Sequence, residues 1–203
     1  MDLKIEKVKE SRIKEVDFSK LSFGRTFADH MFICEYKDGK WQKPTIKPYG
    51  ALSLEPSASV FHYGQAVFEG MKAYKDDNGH VFLFRPQENY KRINKSCERL
   101  AMPAFPEEWF DKALRTLVDI DSEWIKPGFG NALYLRPFVI ATTPGVQASP
   151  AKDYLFIIIT APVQSYYSGD VRVKIADYYS RAANGGFGFA KAAGNYAGQF
   201  YPT

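Results

Sequence analysis

The sequence predicts a mixed chain, α/β in content and of the α+β type in arrangement. Short stretches of apolar residues bounded by turn residues read as strands in the first third. Between residues 86 and 120 the apolar spacing lengthens to that of helices. Beyond Pro127-Gly128 the strand pattern returns, around a turn-rich stretch from Thr142 to Pro150.

Taken in order, residues 1–20 are rich in charge and are expected to be loosely tied down. Asp29 to Tyr36 reads as a strand. Lys37-Asp38-Gly39-Lys40 is a hairpin signal, with Trp41 opening the return. Phe61 to Phe68 is expected as a short helix. Gly70 to Tyr74 and Val81 to Phe84 read as strands joined by the turn at Asp76-Asp77-Asn78-Gly79. Pro86 suits a first helical turn, and Tyr90, Ile93, Cys97 and Leu100 then share one face. Pro103 ends that helix and Pro106 opens the next. Glu107 and Glu108 stand where the helix dipole favours acids, and Trp109, Phe110, Leu114, Leu117 and Val118 supply its apolar stripe. Leu133 to Ala141, Tyr154 to Thr160 and the alternating Val171 to Ile175 read as strands. The division this suggests is an extension at 1–20, a small α/β domain at 21–143, a linker at 144–150, and the start of a second domain at 151–203.

Composition narrows the function classes. The 203 residues carry 27 basic and 23 acidic side chains, a net charge of +4 with the signs interspersed. No basic run suggests a nucleic-acid or membrane partner. The longest apolar run, Tyr154 to Val163, is half of the roughly 20 residues that span a bilayer. The mixed charges of the N-terminus resemble neither a secretory signal nor a transit peptide. Cys34 and Cys97 form no CxxC and have no histidine at ligand spacing, so neither a metal nor a disulfide framework is expected. A reducing cytoplasm is the expected setting.

Three stretches can carry chemistry. The first is Asn184-Gly185-Gly186-Phe187-Gly188-Phe189-Ala190-Lys191-Ala192-Ala193-Gly194-Asn195-Tyr196, one lysine among residues of little bulk. Small residues let a flat ligand approach the backbone. A lysine in a dry pocket loses stabilisation of its charged form, and a neutral amine can attack a carbonyl. That suits a pyridoxal-phosphate lysine, while a solvated lysine on a flexible loop is the plain alternative. A Walker A loop fails because alanines flank Lys191, and GxGxxG fails because Lys191 stands at the third glycine. The second stretch is Leu133-Tyr134-Leu135-Arg136-Pro137. On a strand, Tyr134 and Arg136 share the face opposite the leucines. There the guanidinium can hold a carboxylate or make a surface ion pair. The third is Phe61 to Gly70, whose Tyr63 and Phe68 are too far apart in helical phase to be explained together by helix packing. Ordinary core aromatics remain an alternative for it.

Together with Phe23-Gly24-Arg25-Thr26-Phe27-Ala28-Asp29-His30-Met31, the run Phe68-Glu69-Gly70-Met71-Lys72, Leu133 to Pro137 and Lys191-Ala192-Ala193-Gly194-Asn195-Tyr196 occur in the order found in branched-chain amino-acid aminotransferases. The chain resembles that family, the class IV aminotransferases of the fold type IV pyridoxal-phosphate enzymes, from about Phe23 onward. The resemblance implies a small N-terminal α/β domain and the beginning of a larger barrel-like, cofactor-binding domain. It implies pyridoxal 5′-phosphate as cofactor and transamination of leucine, isoleucine and valine with 2-oxoglutarate or glutamate, in a homodimer. Lys191 resembles the lysine that holds the cofactor as a Schiff base and then moves the substrate's Cα proton. Arg92 resembles a contact to the cofactor phosphate and Tyr196 a contact to its ring oxygen. Phe23, Tyr63, Phe68, Tyr134 and Tyr166 resemble the aromatic wall of the substrate pocket. Arg136 resembles the arginine for a distal carboxylate, and Val146 part of a loop that closes over the site.

Members of that family are considerably longer. The chain therefore reads as an N-terminal portion, expected to transaminate poorly on its own. The rival readings are a D-amino-acid aminotransferase or aminodeoxychorismate lyase of the same fold type, and a non-catalytic binding protein that kept the fold.

Overall fold

The computed structural model describes residues 2–165 and 169–201. In chain order the elements are β1 (Lys4–Ile5), β2 (His30–Lys37), β3 (Lys40–Trp41), β4 (Thr45–Pro48), α1 (Ser59–Tyr63), β5 (Ala66–Phe68), β6 (Met71–Lys75), β7 (Val81–Leu83), α2 (Pro86–Arg99), α3 (Glu107–Ile120), β8 (Ala132–Ala141), β9 (Tyr154–Val163) and α4 (Gly194–Ala197), with short 3-10 turns between. The strands build one sheet in the order β1-β4-β2-β9-β8-β6-β7, with β3 added to β2 and β5 added to β8. Every pairing is antiparallel except that of β1 with β4.

The periodicity explains the layering. Along β8, Leu133, Leu135, Val139 and Ala141 are buried, while Tyr134, Arg136, Phe138 and Ile140 on the other face are half-buried. The leucine face meets the helices. Ile93 and Cys97 of α2, and Phe110, Leu114, Leu117 and Val118 of α3, pack with Phe32, Phe105, Phe156 and Ile158 in one core. Phe105 stacks on Phe156 with ring centroids 3.8 Å apart, tying the connection between the helices to the sheet. β9 lies between β2 and β8 and is buried almost throughout, as a central strand covered on both faces should be. The second face of β8, carrying Tyr134 and Arg136, is left for the site.

Three expectations need correction. The helix expected over Phe61–Phe68 ends at Tyr63. Gly64 takes the left-handed conformation (φ 61°) as its C-cap, and its N–H donates to the Val60 carbonyl. Ala66–Phe68 then becomes a strand because β8 offers a partner, pairing Phe68 with Phe138. The N-terminal extension is not loose. β1 pairs with β4, the Val8 N–H donates to His30 Nε2 at 3.0 Å, and the Ser11 hydroxyl donates to Asp29 at 2.5 Å. Val171–Ile175 forms no strand. Its alternation finds no partner ladder among the described residues, and Val173 is 89% exposed. Residues 144–150, expected as a linker between domains, connect β8 and β9, which pair over their full length from Ala132–Val163 to Ala141–Tyr154.

Candidate functional site

The glycine–alanine segment reaches the sheet through β5. The Phe68 N–H donates to the Lys191 carbonyl at 3.0 Å, the Ala193 N–H donates to the Ala66 carbonyl at 2.9 Å, and Val67 and Ala192 bridge between them. The buried Asn195 side chain closes the turn by donating to the carbonyls of Ala190 (2.8 Å) and Phe187 (3.0 Å). A third tie comes from α2. The Lys191 N–H donates to Ser96 Oγ at 2.9 Å, and that hydroxyl donates to the Arg92 carbonyl at 2.8 Å. These bonds hold the Lys191 backbone on three sides and set the direction of its side chain.

That direction is the second face of β8. Lys191 Nζ donates to the Tyr196 hydroxyl at 2.7 Å and lies 4.6 Å from the centre of the Phe68 ring. The Phe68 and Tyr196 rings are 4.9 Å apart. The Arg136 guanidinium rests on the same Phe68 ring at 4.6 Å and donates to the Tyr134 hydroxyl at 2.9 Å. Tyr134 in turn meets Phe23 edge-on at 5.0 Å. Gly70 makes room for this. A Cβ there would come within 2.3 Å of the Tyr134 hydroxyl. Two cations on one aromatic ring gain cation–π attraction of roughly 0.5–1 kcal/mol each at exposed sites, but they also repel one another. Among the described residues neither Lys191 nor Arg136 forms an ion pair, so both cations are left to attract an anionic ligand.

Arg92 is held differently. It makes a two-pronged ion pair with Glu69, Nε at 2.5 Å and Nη2 at 2.8 Å. The Glu69 hydrogen bond holds the guanidinium protonated still more firmly than usual, against the opposing effect of burial. Tyr63 and Val146 form a separate pair, the Tyr63 hydroxyl donating to the Val146 carbonyl. Val146 itself is 70% exposed. A shallow cleft joins this pair to the lysine segment, lined by Tyr63, Gln65, Leu100, Pro150, Ala192 and Gly194. Tyr166, expected in the aromatic wall, lies outside the described residues. The structure thus gathers Phe23, Phe68, Tyr134, Arg136, Lys191 and Tyr196 in one chain of contacts, with Arg92 beside them and Tyr63 and Val146 across a cleft.

Sequence reasoning gave no role to Glu69, Asn89 or Ser96. Glu69 was visible only as the middle of Phe68-Glu69-Gly70. Ser96, four residues after Arg92, was visible only as a small polar residue beside the apolar Cys97. The two cysteines are buried outside the cluster, and burial pushes each thiol up to about 12. Among the described residues no three of His, Cys, Asp and Glu gather where they could hold a metal ion.

The donor set fits pyridoxal 5′-phosphate. An amine can meet an aldehyde, a phenol can meet the ring oxygen, and a guanidinium can meet a phosphate.

A family model described as amino-transferase class IV matches residues 66–201. The chain is 51% identical over 203 residues to "Branched-chain-amino-acid transaminase 1" of Bacillus subtilis (strain 168), covering 97% of this chain and 57% of the relative. It is 49% identical over 185 residues to "Branched-chain-amino-acid aminotransferase 2" of the same organism, covering 89% and 51%. The chain therefore spans a little over half the length of the curated relatives it matches. The fold is similar to that of a solved branched-chain aminotransferase of Thermoproteus uzoniensis. The TM-score is 0.65 and the identity 20%, with 85% of this chain and 54% of that one covered. An Escherichia coli branched-chain amino acid aminotransferase gives a TM-score of 0.55 at 19% identity, covering 84% and 53%. These two likenesses bear on the fold alone, which is that of the fold type IV aminotransferases.

Proposed function

The chain belongs to the class IV aminotransferases, and from that premise we propose that it serves pyridoxal-phosphate-dependent amino transfer between leucine, isoleucine or valine and 2-oxoglutarate. The observation that carries the reading is the Lys191 amine, set beside Phe68 and Tyr196, with the Arg136 guanidinium on the same Phe68 ring. The names of the Bacillus subtilis relatives support the choice of substrate.

When bound, the cofactor supplies an electron sink for the pair left on the substrate's Cα as its proton departs. The rest falls to this chain. Lys191 would hold the cofactor through its aldehyde carbon, and its Nζ, once free, would carry the Cα proton. The Tyr196 hydroxyl, already bonded to that Nζ, would orient it and would offer a hydrogen bond to the cofactor's ring oxygen. Arg92 keeps N–H donors for the phosphate. Phe23, Tyr63, Phe68 and Tyr134 offer apolar surface to a branched side chain and exclude water. Arg136 takes the distal carboxylate of 2-oxoglutarate, so one pocket admits both an apolar and an acidic side chain. Val146 borders the cleft through its bond with Tyr63, and Tyr166 belongs to the same aromatic wall in this reading. The reading also takes the protein as a cytoplasmic homodimer with small-molecule partners only. Its unpaired buried cysteines suit a reducing compartment. Among the described residues no helix is long and apolar enough to cross a membrane. The division into a small domain and the start of a larger one is kept as part of the proposal, with β9 built into the sheet of the first.

The test is a panel of amino donors read over a single turnover, where even a slow reaction shows in the cofactor's absorbance. L-Leucine, L-isoleucine and L-valine are expected to convert the cofactor and D-alanine to leave it unchanged. Faster conversion by D-alanine would move the chain to the D-amino-acid branch of the fold. No conversion by any donor would favour a binding protein.

A further inference from the structure

Glu69 is fully buried, yet it carries a carboxylate. Such a group persists only where its charge and lone pairs are met. Here Arg92 meets it through two nitrogens at 2.5 and 2.8 Å, Asn89 Nδ2 donates to Oε2 at 2.8 Å, and the Gly70 N–H donates to Oε2 at 3.1 Å. The Glu69 backbone is fixed as well, its N–H donating to the Pro137 carbonyl of β8 at 2.7 Å. The carboxylate is therefore part of the sheet, and α2 leans on it through both Asn89 and Arg92.

The arginine it holds is not spent. A guanidinium has five N–H donors in a rigid plane, and Glu69 engages one edge of it. The side chain remains 52% exposed. A long side chain left free on a helix surface samples many rotamers, and fixing it costs affinity when a ligand arrives. The position of this edge relative to the lysine is also set, because the Ser96 hydroxyl links the Arg92 carbonyl to the Lys191 N–H.

We propose that Glu69 is a positioning residue that aims the free N–H donors of Arg92 at a phosphate monoester on the ligand whose aldehyde Lys191 receives. This rests on the reading of Lys191 given above. The sign of the effect separates positioning from simple charge. Glu69 lowers the positive potential around Arg92, so charge alone would make its removal strengthen phosphate binding. Positioning makes its removal weaken phosphate binding.

The experiment measures the dissociation constants of pyridoxal phosphate and of pyridoxal, which lacks the phosphate, for the full chain and its variants. The native chain is expected to prefer the phosphorylated form. Glu69→Gln is expected to shrink that preference about tenfold while pyridoxal binding stays unchanged. Asn89→Ala, a milder change on a helix surface, is expected to shrink it about threefold. A preference that is unchanged or enlarged in Glu69→Gln overturns the proposal, as does an equal loss for both ligands. Should Glu69→Gln fail to fold, an unchanged preference in Asn89→Ala overturns it. A native chain that binds both ligands alike overturns the reading of Lys191 and Arg92 itself, and this proposal with it.

Discussion

Two polar clusters flank β9, one beside the start of β2 and one beside β8, and they differ in what they leave unpaired. In the first, Asp29 accepts from the Ser11 hydroxyl at 2.5 Å, the Arg12 N–H at 3.0 Å and Trp124 Nε1 at 2.9 Å. Asp121 accepts from the His30 N–H at 3.1 Å and lies 2.6 Å from His30 Nδ1. His30 Nε2 accepts from the Val8 N–H, so that nitrogen is unprotonated and the proton sits on Nδ1, facing Asp121. Burial pushes the Asp121 carboxyl up despite His30. For Asp29 burial acts the same way, but the Ser11, Arg12 and Trp124 bonds outweigh it and leave the carboxyl below its usual range. Every acid in this cluster has its donors, and the cluster is closed. In the second cluster Glu69 is just as fully satisfied, but the cations around it are not. Among the described residues, Lys191 and Arg136 have a phenol and an aromatic ring for company, and Arg92 has one edge without a partner. A closed polar network fastens a fold, here the N-terminal segment to the helices. One whose unpaired groups share a single sign attracts a ligand of the other sign.

The sharpest way to break this contrast is Lys191→Ala. Single-turnover conversion of leucine is expected to fall about ten-thousandfold, with thermal stability unchanged. A large loss of stability would mean that Lys191 belongs to the closed kind of network. Next come the cysteines, which belong to neither cluster. With thiols pushed up to about 12, alkylation of the folded chain at pH 8 is expected to run about a thousandfold slower than in denaturant. Fast labelling of Cys97 would show that α2 opens near Ser96.

Asp29→Asn probes the closed cluster from the other side. It is expected to cost about 1–3 kcal/mol of stability at pH 7 and to leave pyridoxal phosphate affinity untouched. The Asp29 carboxyl is lower in the folded state than in the unfolded chain. Its contribution is therefore present above the unfolded value of about 3.9 and lost as pH falls through the folded value. Urea melts of both proteins are expected to converge in that acid range. The mildest change is Gly70→Ala. Its Cβ displaces the Tyr134 hydroxyl that steadies Arg136. A KM for 2-oxoglutarate raised about tenfold, with leucine affected less, is the expected outcome. An equal effect on both would remove Arg136 from its acidic-substrate role.

The legibility of the chain followed how local each cause was. The alternation Leu133, Leu135, Val139 against Tyr134, Arg136 is a property of one strand, and it placed both the core face and the site face of β8. The stripes of α2 and α3 were readable for the same reason. Ala66–Phe68 was not, because the choice between helix and strand there is made by β8, some seventy residues away in the chain. Val171–Ile175 failed the opposite way, since alternation without a partner ladder leaves backbone groups to water. The hold of Asp29 and His30 on residues 8–12 was hidden in what read as a charged, loose extension. At the site, the resemblance pointed to Lys191, Arg92, Arg136 and Tyr196. Glu69 and Ser96 act through hydrogen bonds that span 23 and 95 residues, which no spacing rule reveals.

The central claim is that the open cluster makes one lysine unlike the others. Incubating the chain with pyridoxal phosphate, reducing with borohydride and mapping the labelled lysine by peptide mass tests it directly. One dominant adduct at Lys191 is expected. Labelling scattered over surface lysines such as Lys91 and Lys152 would contradict it.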